Sequence, residues 1–280
     1  MIHWIWKYRD FITAYDGCPA PECWVDRYEQ SYLAPNRELL EAIHFQPKGF
    51  PTVASILKRV GGLGQGHFAP LRSNIGTFEA YETEIVRITQ AILDRFGAGA
   101  VIPEVELYVL VGLDCTNIYA TPYGGRDVTV LCLESVQGDL QWLRLLLAHE
   151  CHHWLRDRYF PGRLFGDCIG QRAVTEGLAI ACSEWLFPGY PAHEYCYLPE
   201  STLQWVAAHW ESVDRVFRAQ ARENDNRSGF FTRNATSGLL PGECPRIGYA
   251  YGYLKVKQYL AAHNLTPAAA VDLDWEKVWA

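Results

Sequence analysis

The chain lacks any uninterrupted apolar run of the roughly 18 residues a membrane-spanning helix needs, so no transmembrane segment is expected. It also lacks a basic stripe. Its 25 Lys and Arg residues are scattered and the formal net charge is −7, which argues against nucleic acid as a partner. No secretion signal is expected either, because Lys7, Arg9 and Asp10 interrupt the apolar opening M-I-H-W-I-W early. Cysteine is not scarce, but its count of nine is odd, so at least one thiol has no partner within the chain. A reducing, cytoplasmic setting is the simpler reading. Cys18 and Cys23, in C-P-A-P-E-C, have a spacing a zinc knuckle could use, yet no second pair of comparable spacing follows. Two reduced thiols in a proline-rich turn are the plainer expectation. The glycine-rich run at 61–68, G-G-L-G-Q-G-H-F, has His67 and Phe68 where a phosphate loop requires Lys and Ser or Thr. No glycine stands three residues after Gly64 either. It reads as a surface loop.

What is present suffices for a full core: 49% of the 280 residues are apolar and 14% aromatic. The expected organisation is a single unit over 1–280, in one large domain or two closely joined lobes. It comprises a helical part over 1–100, strands and two site-bearing helices over 101–200, and a helical lobe over 201–280. His3 to Tyr8 alternate loosely and fit a strand or the start of an aromatic-rich helix. Residues 24–45 carry a helical pattern with Asn36 as an N-cap, and Pro47, Gly49 and Pro51 break it before a short helix over 52–60. Residues 77–96 read as one helix capped by Thr77, with Tyr81, Ile85, Ile88 and Ile92 on one face and Gly97 and Gly99 at its end. Strand-like runs follow at 105–111 and 127–133, joined by a loop that turns at Pro122 to Gly125. A strand just before the next helix could pair with an extended peptide or simply carry core side chains. Residues 201–221 read as one helix, and 222–248 as a long polar connection into G-Y-A-Y-G-Y and a last helix ending near His263.

The stretch with the most chemistry is W-L-R-L-L-L-A-H-E-C-H-H-W-L-R-D-R-Y, starting at Trp142 and preceded by Gly138 and the N-cap Asp139. His149 and His153 are four apart, so on a helix they project from one face and can grip one ion. Glu150, beside the first of them, can poise a water without ligating the metal. This is the H-E-x-x-H arrangement of a zinc peptidase helix. His152 turns about 100° away from that line and ranks behind His149 and His153, as a partly exposed flanking residue. Cys151 reads as a core thiol, with ligation or redox control the alternative.

Catalytic zinc needs a third protein ligand. The metzincin pattern fails, because Arg156 and Tyr159 occupy its glycine and histidine positions. Asp157 follows on the same helix, where three ligands in a row cannot surround an ion. The next helix, 170–187, carries Glu176 among Ala173, Val174, Leu178 and Ile180, where burying a carboxylate without a cation is costly. Pro161, Gly162, Gly166 and Gly170 supply the turns to bring the two helices side by side. Glu176 then completes a His–His–Glu site of gluzincin type; pairing with Arg172 one turn earlier is the alternative. Glu184 has no special claim and is expected to be solvated.

H-E-C-H-H-W-L-R followed by T-E-G-L-A resembles the predicted zinc-dependent protease family of YjaZ-like proteins, and P-R-I-G-Y-A-Y-G-Y-L-K-V-K-Q-Y-L, starting at Pro245, is similar to that family's C-terminal G-Y-x-x-G-Y segment. The motifs lie between about residues 127 and 260. The resemblance implies a metallopeptidase fold and places Tyr249 first and Tyr253 second as the oxyanion donor; aromatic packing is the other use for that segment. The expected fold is α+β, mostly helical, with a small antiparallel sheet before the H-E-x-x-H helix. The expected function is zinc-dependent peptide hydrolysis, with one zinc on His149, His153 and Glu176 and Glu150 as general base. A non-catalytic protein with a structural metal site, or a hydrolase of a non-peptide amide, are the competing readings.

Overall fold

The computed structural model describes residues 1–44, 52–97, 104–113, 118–136, 139–165, 167–225, 229–233 and 235–279. The roles expected of Pro47, Gly49, Pro51, Gly99, Gly138 and Gly166 fall outside these residues. The chain divides into two compact units, one of Met1–Val86 with Glu104–Leu143 and one of Arg87–Pro103 with Arg144–Ala280.

The first unit is built on a four-stranded sheet. Its strands are β1 (Ile2–Trp6), β2 (Val105–Leu110), β3 (Ile118–Tyr123) and β4 (Arg126–Cys132), in the order β1-β2-β4-β3. The sheet is mixed rather than antiparallel. β1 runs parallel to β2, with Ile2 opposite Val105, and β2 runs parallel to β4, with Leu107 opposite Thr129; only β3 is antiparallel to its neighbour. The near-continuous burial of β2 and of the C-terminal half of β4 suits interior, parallel-paired strands. β3 lies in the stretch read as a loop. Pro122 removes a ladder donor and masks the strand pattern, yet an edge position tolerates it. Gly124 and Gly125, with φ of 61° and 81°, close the β3–β4 hairpin as a two-residue turn. β4, the strand that precedes the H-E-x-x-H helix, is therefore paired on both sides and has no edge to offer a peptide.

The helices of this unit depart from their sequence reading at the breaks. After α1 (Tyr8–Asp16), the 24–45 segment is α2 (Trp24–Tyr28), a π-turn over Glu29–Leu33, and α3 (Arg37–His44). Asn36 does stand at the entry to α3, but its amide nitrogen donates to the Tyr32 carbonyl and to Asp10, and its side-chain oxygen caps nothing. α4 (Val53–Leu63) starts at a Thr52–Ser55 capping box and runs through Gly61 and Gly62 to Gly64, whose φ of 70° ends it. The expected glycine loop is thus mostly helix. α5 (Ala69–Asp94) begins eight residues before Thr77, which is an interior helical residue; Ile85, Ile88 and Ile92 are buried as expected. Around Phe11 the rings of Trp24, Tyr28, Tyr32 and Phe68 pack edge-on, with centroids 5.4–6.5 Å away.

The second unit is helical: most of α6 (Leu140–Asp157), then α7 (Ile169–Leu186), α8 (Ala192–Tyr195), α9 (Glu200–Ala208), α10 (Trp210–Gln220), α11 (Ile247–Ala262) and α12 (Trp275–Trp279). The single helix expected over 201–221 is two, broken at His209, whose ring nitrogen Nδ1 lies 2.8 Å from the Trp205 carbonyl. α7 is buried along most of its length. It meets α11 backbone to backbone: a Cβ on Gly177 would lie 2.3 Å from the Gly252 carbonyl oxygen, and one on Gly252 2.2 Å from that of Ala173. Only glycine permits this approach. The G-Y-A-Y-G-Y element lies inside α11 rather than ahead of it. Arg156, wholly buried at the end of α6, donates to the carbonyls of Val271 and Leu273 at 2.8 Å each and to the Thr175 hydroxyl at 3.2 Å. Those bonds fasten the C-terminal segment to α6 and α7.

Candidate metal centre

Asp139 caps α6 by accepting from the backbone N–H groups of Gln141 and Trp142 at 2.8 and 3.1 Å. Two and a half turns on, His149 and His153 project from one face, rings perpendicular and centroids 4.5 Å apart, with their Nε2 atoms 2.9 Å from each other. From α7 the Glu176 Oε2 approaches these nitrogens at 3.2 and 3.6 Å. Ser183, two turns further along α7, donates to the Leu145 carbonyl of α6 at 3.0 Å and ties the two helices together. All three metal-type side chains are buried, at 6%, 6% and 4% exposure.

The spacing suits a metal. Donors at about 2.05 Å from zinc, at the tetrahedral angle, lie roughly 3.3 Å apart. The three edges here, 2.9, 3.2 and 3.6 Å, bracket that value. Two imidazoles and a carboxylate converge on one point in a dry environment, where a cation can be held. Although burial alone would raise the Glu176 pKa, the hydrogen bonds and charges of His149 and His153 hold the carboxyl well below the ordinary range. Its other oxygen, Oε1, lies 3.9 Å from the Arg172 Nε, and Arg172 is held in turn by Asp225 at 3.3 Å and stacked over the Phe231 ring at 4.6 Å. The Arg172 pairing expected as the alternative is thus present on Oε1, while Oε2 faces the two histidines.

A family model described as "Predicted Zn-dependent protease (DUF2268)" matches residues 116–280, more than half of the chain. The chain belongs to this family. No curated protein and no solved structure matches it. The stretch matched to the DUF2268 model contains His149, Glu150, His153 and Glu176, and the family name agrees with a buried group able to hold zinc.

Around these residues the other candidates are placed unequally. Glu150 is 8% exposed, and burial raises its pKa against the opposing pull of the two histidines. Tyr249, in the first turn of α11, lies beside Arg172 and under the Arg246 guanidinium, 4.6 Å from its ring; burial and the Glu176 charge push its hydroxyl up. Tyr253 is elsewhere, donating to Glu184 at 2.9 Å while Lys257 bonds to both. Glu184 is thus ion-paired rather than simply solvated. His152 is fully buried, not a partly exposed flank, because α6 is enclosed on that side too and Phe96 packs against the ring. Burial depresses its pKa well below the ordinary value. Cys151 is a buried thiol beside Cys182, with its pKa pushed up by burial.

One residue near the site carries no sequence signal. Tyr197 follows α8 with a left-handed backbone, φ 53°, costly for an aromatic residue. Its ring stands edge-on to His149 at 5.8 Å, and Phe165 does the same to His153 at 5.2 Å. The Nδ1 atoms of both histidines have no hydrogen-bond partner among the described residues. Among the described residues ring packing takes the place of the usual N–H bond to a carbonyl or carboxylate. Arg246, itself left-handed at φ 62°, donates to the Tyr197 carbonyl at 3.0 Å and so links this turn to the start of α11.

Proposed function

We propose that the protein hydrolyses peptide bonds with a zinc ion held by His149, His153 and Glu176. The observation that carries this reading is the convergence of those three donors beside a second carboxylate, that of Glu150. Glu150 is buried yet makes no hydrogen bond or ion pair among the described residues. Burying such a group destabilises a fold, so a purely structural metal site gives no reason to keep it. Zinc bound there supplies Lewis acidity, polarising a carbonyl oxygen and acidifying a water molecule. Glu150 accepts the water proton on its carboxylate and delivers it to the leaving amine. Tyr249 donates its hydroxyl proton in a hydrogen bond to the oxygen that gains negative charge, and Arg172 and Arg246 beside it favour that charge. The same residues would cleave a non-peptide amide, so the substrate arm of the test matters.

Metal analysis of the purified protein should find about one zinc per chain, and His153→Ala should lose it. Glu150→Gln should retain zinc while its cleavage of a peptide library falls about 10²- to 10⁴-fold. A wild type that binds no zinc, or Glu150→Gln at wild-type rate, would overturn the reading; zinc-bound, Glu150-dependent activity on amides but not on peptides would shift it to the other substrate. Tyr249→Phe should lower turnover about 10²-fold with zinc retained. Unchanged turnover in that variant together with a fall in Tyr197→Phe would move the donor role to Tyr197.

A further inference from the structure

Cys18 and Cys23, far from the metal group in sequence, lie with their sulfurs 2.9 Å apart, each thiol also 3.0 Å from the Ala20 carbonyl oxygen. A disulfide needs about 2.05 Å, so closing the bond requires a movement of less than about 1 Å. The four intervening residues are built to hold this approach. Pro19 and Pro21 fix their own φ angles, Ala20 is extended as a residue before proline must be, and Pro21–Cys23 is a short 3₁₀ turn closed by the Cys23 N–H on the Ala20 carbonyl. Gln65 donates to the carbonyls of Tyr15 and Cys18 at 3.1 and 3.4 Å and pins the loop from outside. The two thiols differ in access: Cys18 is 7% exposed, Cys23 is half-buried.

We propose that Cys18 and Cys23 form a redox-active dithiol, a modification site at which a hydroperoxide converts the pair to a disulfide. The more accessible Cys23 sulfur attacks the distal peroxide oxygen; the O–O bond breaks, water or an alcohol leaves, and Cys23 becomes a sulfenic acid. The Cys18 sulfur then attacks the Cys23 sulfur; the S–O bond breaks, the S–S bond forms, and the hydroxide leaves with the Cys18 proton as water. The two sulfurs together lose two electrons and the hydroperoxide gains them. The charge pattern agrees with these roles, since the Cys18 hydrogen bond lowers the Cys23 pKa while burial raises that of Cys18 to about 11. Burial raises the thiols of Cys151, Cys182 and Cys196 instead, and leaves them poor nucleophiles.

Treating the reduced, folded full-length chain with one molar equivalent of hydrogen peroxide should remove two of its nine titratable thiols. Both cysteines fall in a single tryptic peptide, residues 10–27. That peptide should become about 2 Da lighter and resist alkylation until dithiothreitol is added. Cys18→Ser should stall at a Cys23 sulfenic acid that dimedone traps, and Cys23→Ser should leave Cys18 unmodified. The proposal is overturned if the 10–27 peptide stays reduced while other cysteines oxidise, or if Cys18 and Cys23 end as separate sulfinic acids.

Discussion

In the unit around the sheet, Phe11 is packed edge-on by Trp24, Tyr28, Tyr32 and Phe68. In the unit around the metal group, two helices meet without side chains between them, Gly177 against Gly252. Rings can tilt and slide by tenths of an ångström without moving the backbones that carry them. Two backbones already in contact cannot. Glu176 immediately precedes Gly177, so any added separation of α7 from α11 is expected to carry a metal-type ligand with it. Binding geometries tolerate about 0.5 Å of error. The donor group stands where helix spacing is fixed by main chain, and the aromatic cluster stands where it need not be.

The largest effect should come from Gly177→Ala. Its Cβ would fall 2.3 Å from the Gly252 oxygen, so the helices must part. A loss of about 3 kcal/mol in urea unfolding is expected, together with reduced zinc content. Gly252→Ala strikes the same crossing from the other side, so the double variant should lose less than the sum of the two. Full zinc content and an unmoved midpoint in both single variants would break the contrast between the units. Arg156→Met comes next. Methionine keeps much of the stem volume but leaves the carbonyls of Val271 and Leu273 and the Thr175 hydroxyl without their donor, a loss of about 2–3 kcal/mol. Faster proteolytic release of the C-terminal segment should be its first sign.

How much of this was legible in the sequence depends on the range of the forces involved. The two histidines follow from the geometry of one helix, and the Asp139 cap from the first turn of that helix. Glu176 was legible because a carboxylate in an apolar helix calls for a cation wherever it lands. His152 was misplaced because a helix wheel gives direction but not what lies there; α6 is enclosed on that side. The strand at β3 was hidden by Pro122, and the parallel pairing of β1, β2 and β4 depends on chain connections that no local pattern records. The glycines at 61 and 62 read as a loop because glycine weakens helices, yet a capping box nine residues earlier carries the helix through them. Tyr197 was out of reach altogether. Its position rests on a left-handed turn and on Arg246, 49 residues away.

The smallest effect sharpens the contrast most. Phe11→Leu keeps most of the buried apolar surface but gives up the edge-to-face ring contacts, worth about 0.5–1.5 kcal/mol, and opens a small void. A loss of about 1–2 kcal/mol in urea unfolding is expected, because the neighbouring rings can lean into part of the space. Zinc content should not change, since the three donors stand on α6 and α7 and their spacing is set by Gly177, Gly252 and the Ser183 bond to Leu145. Measuring both quantities on one preparation separates the two kinds of packing. If Phe11→Leu stripped zinc as thoroughly as Gly177→Ala, the ring cluster would be as stringent as the glycine crossing, and backbone contact would no longer explain where the donors are placed.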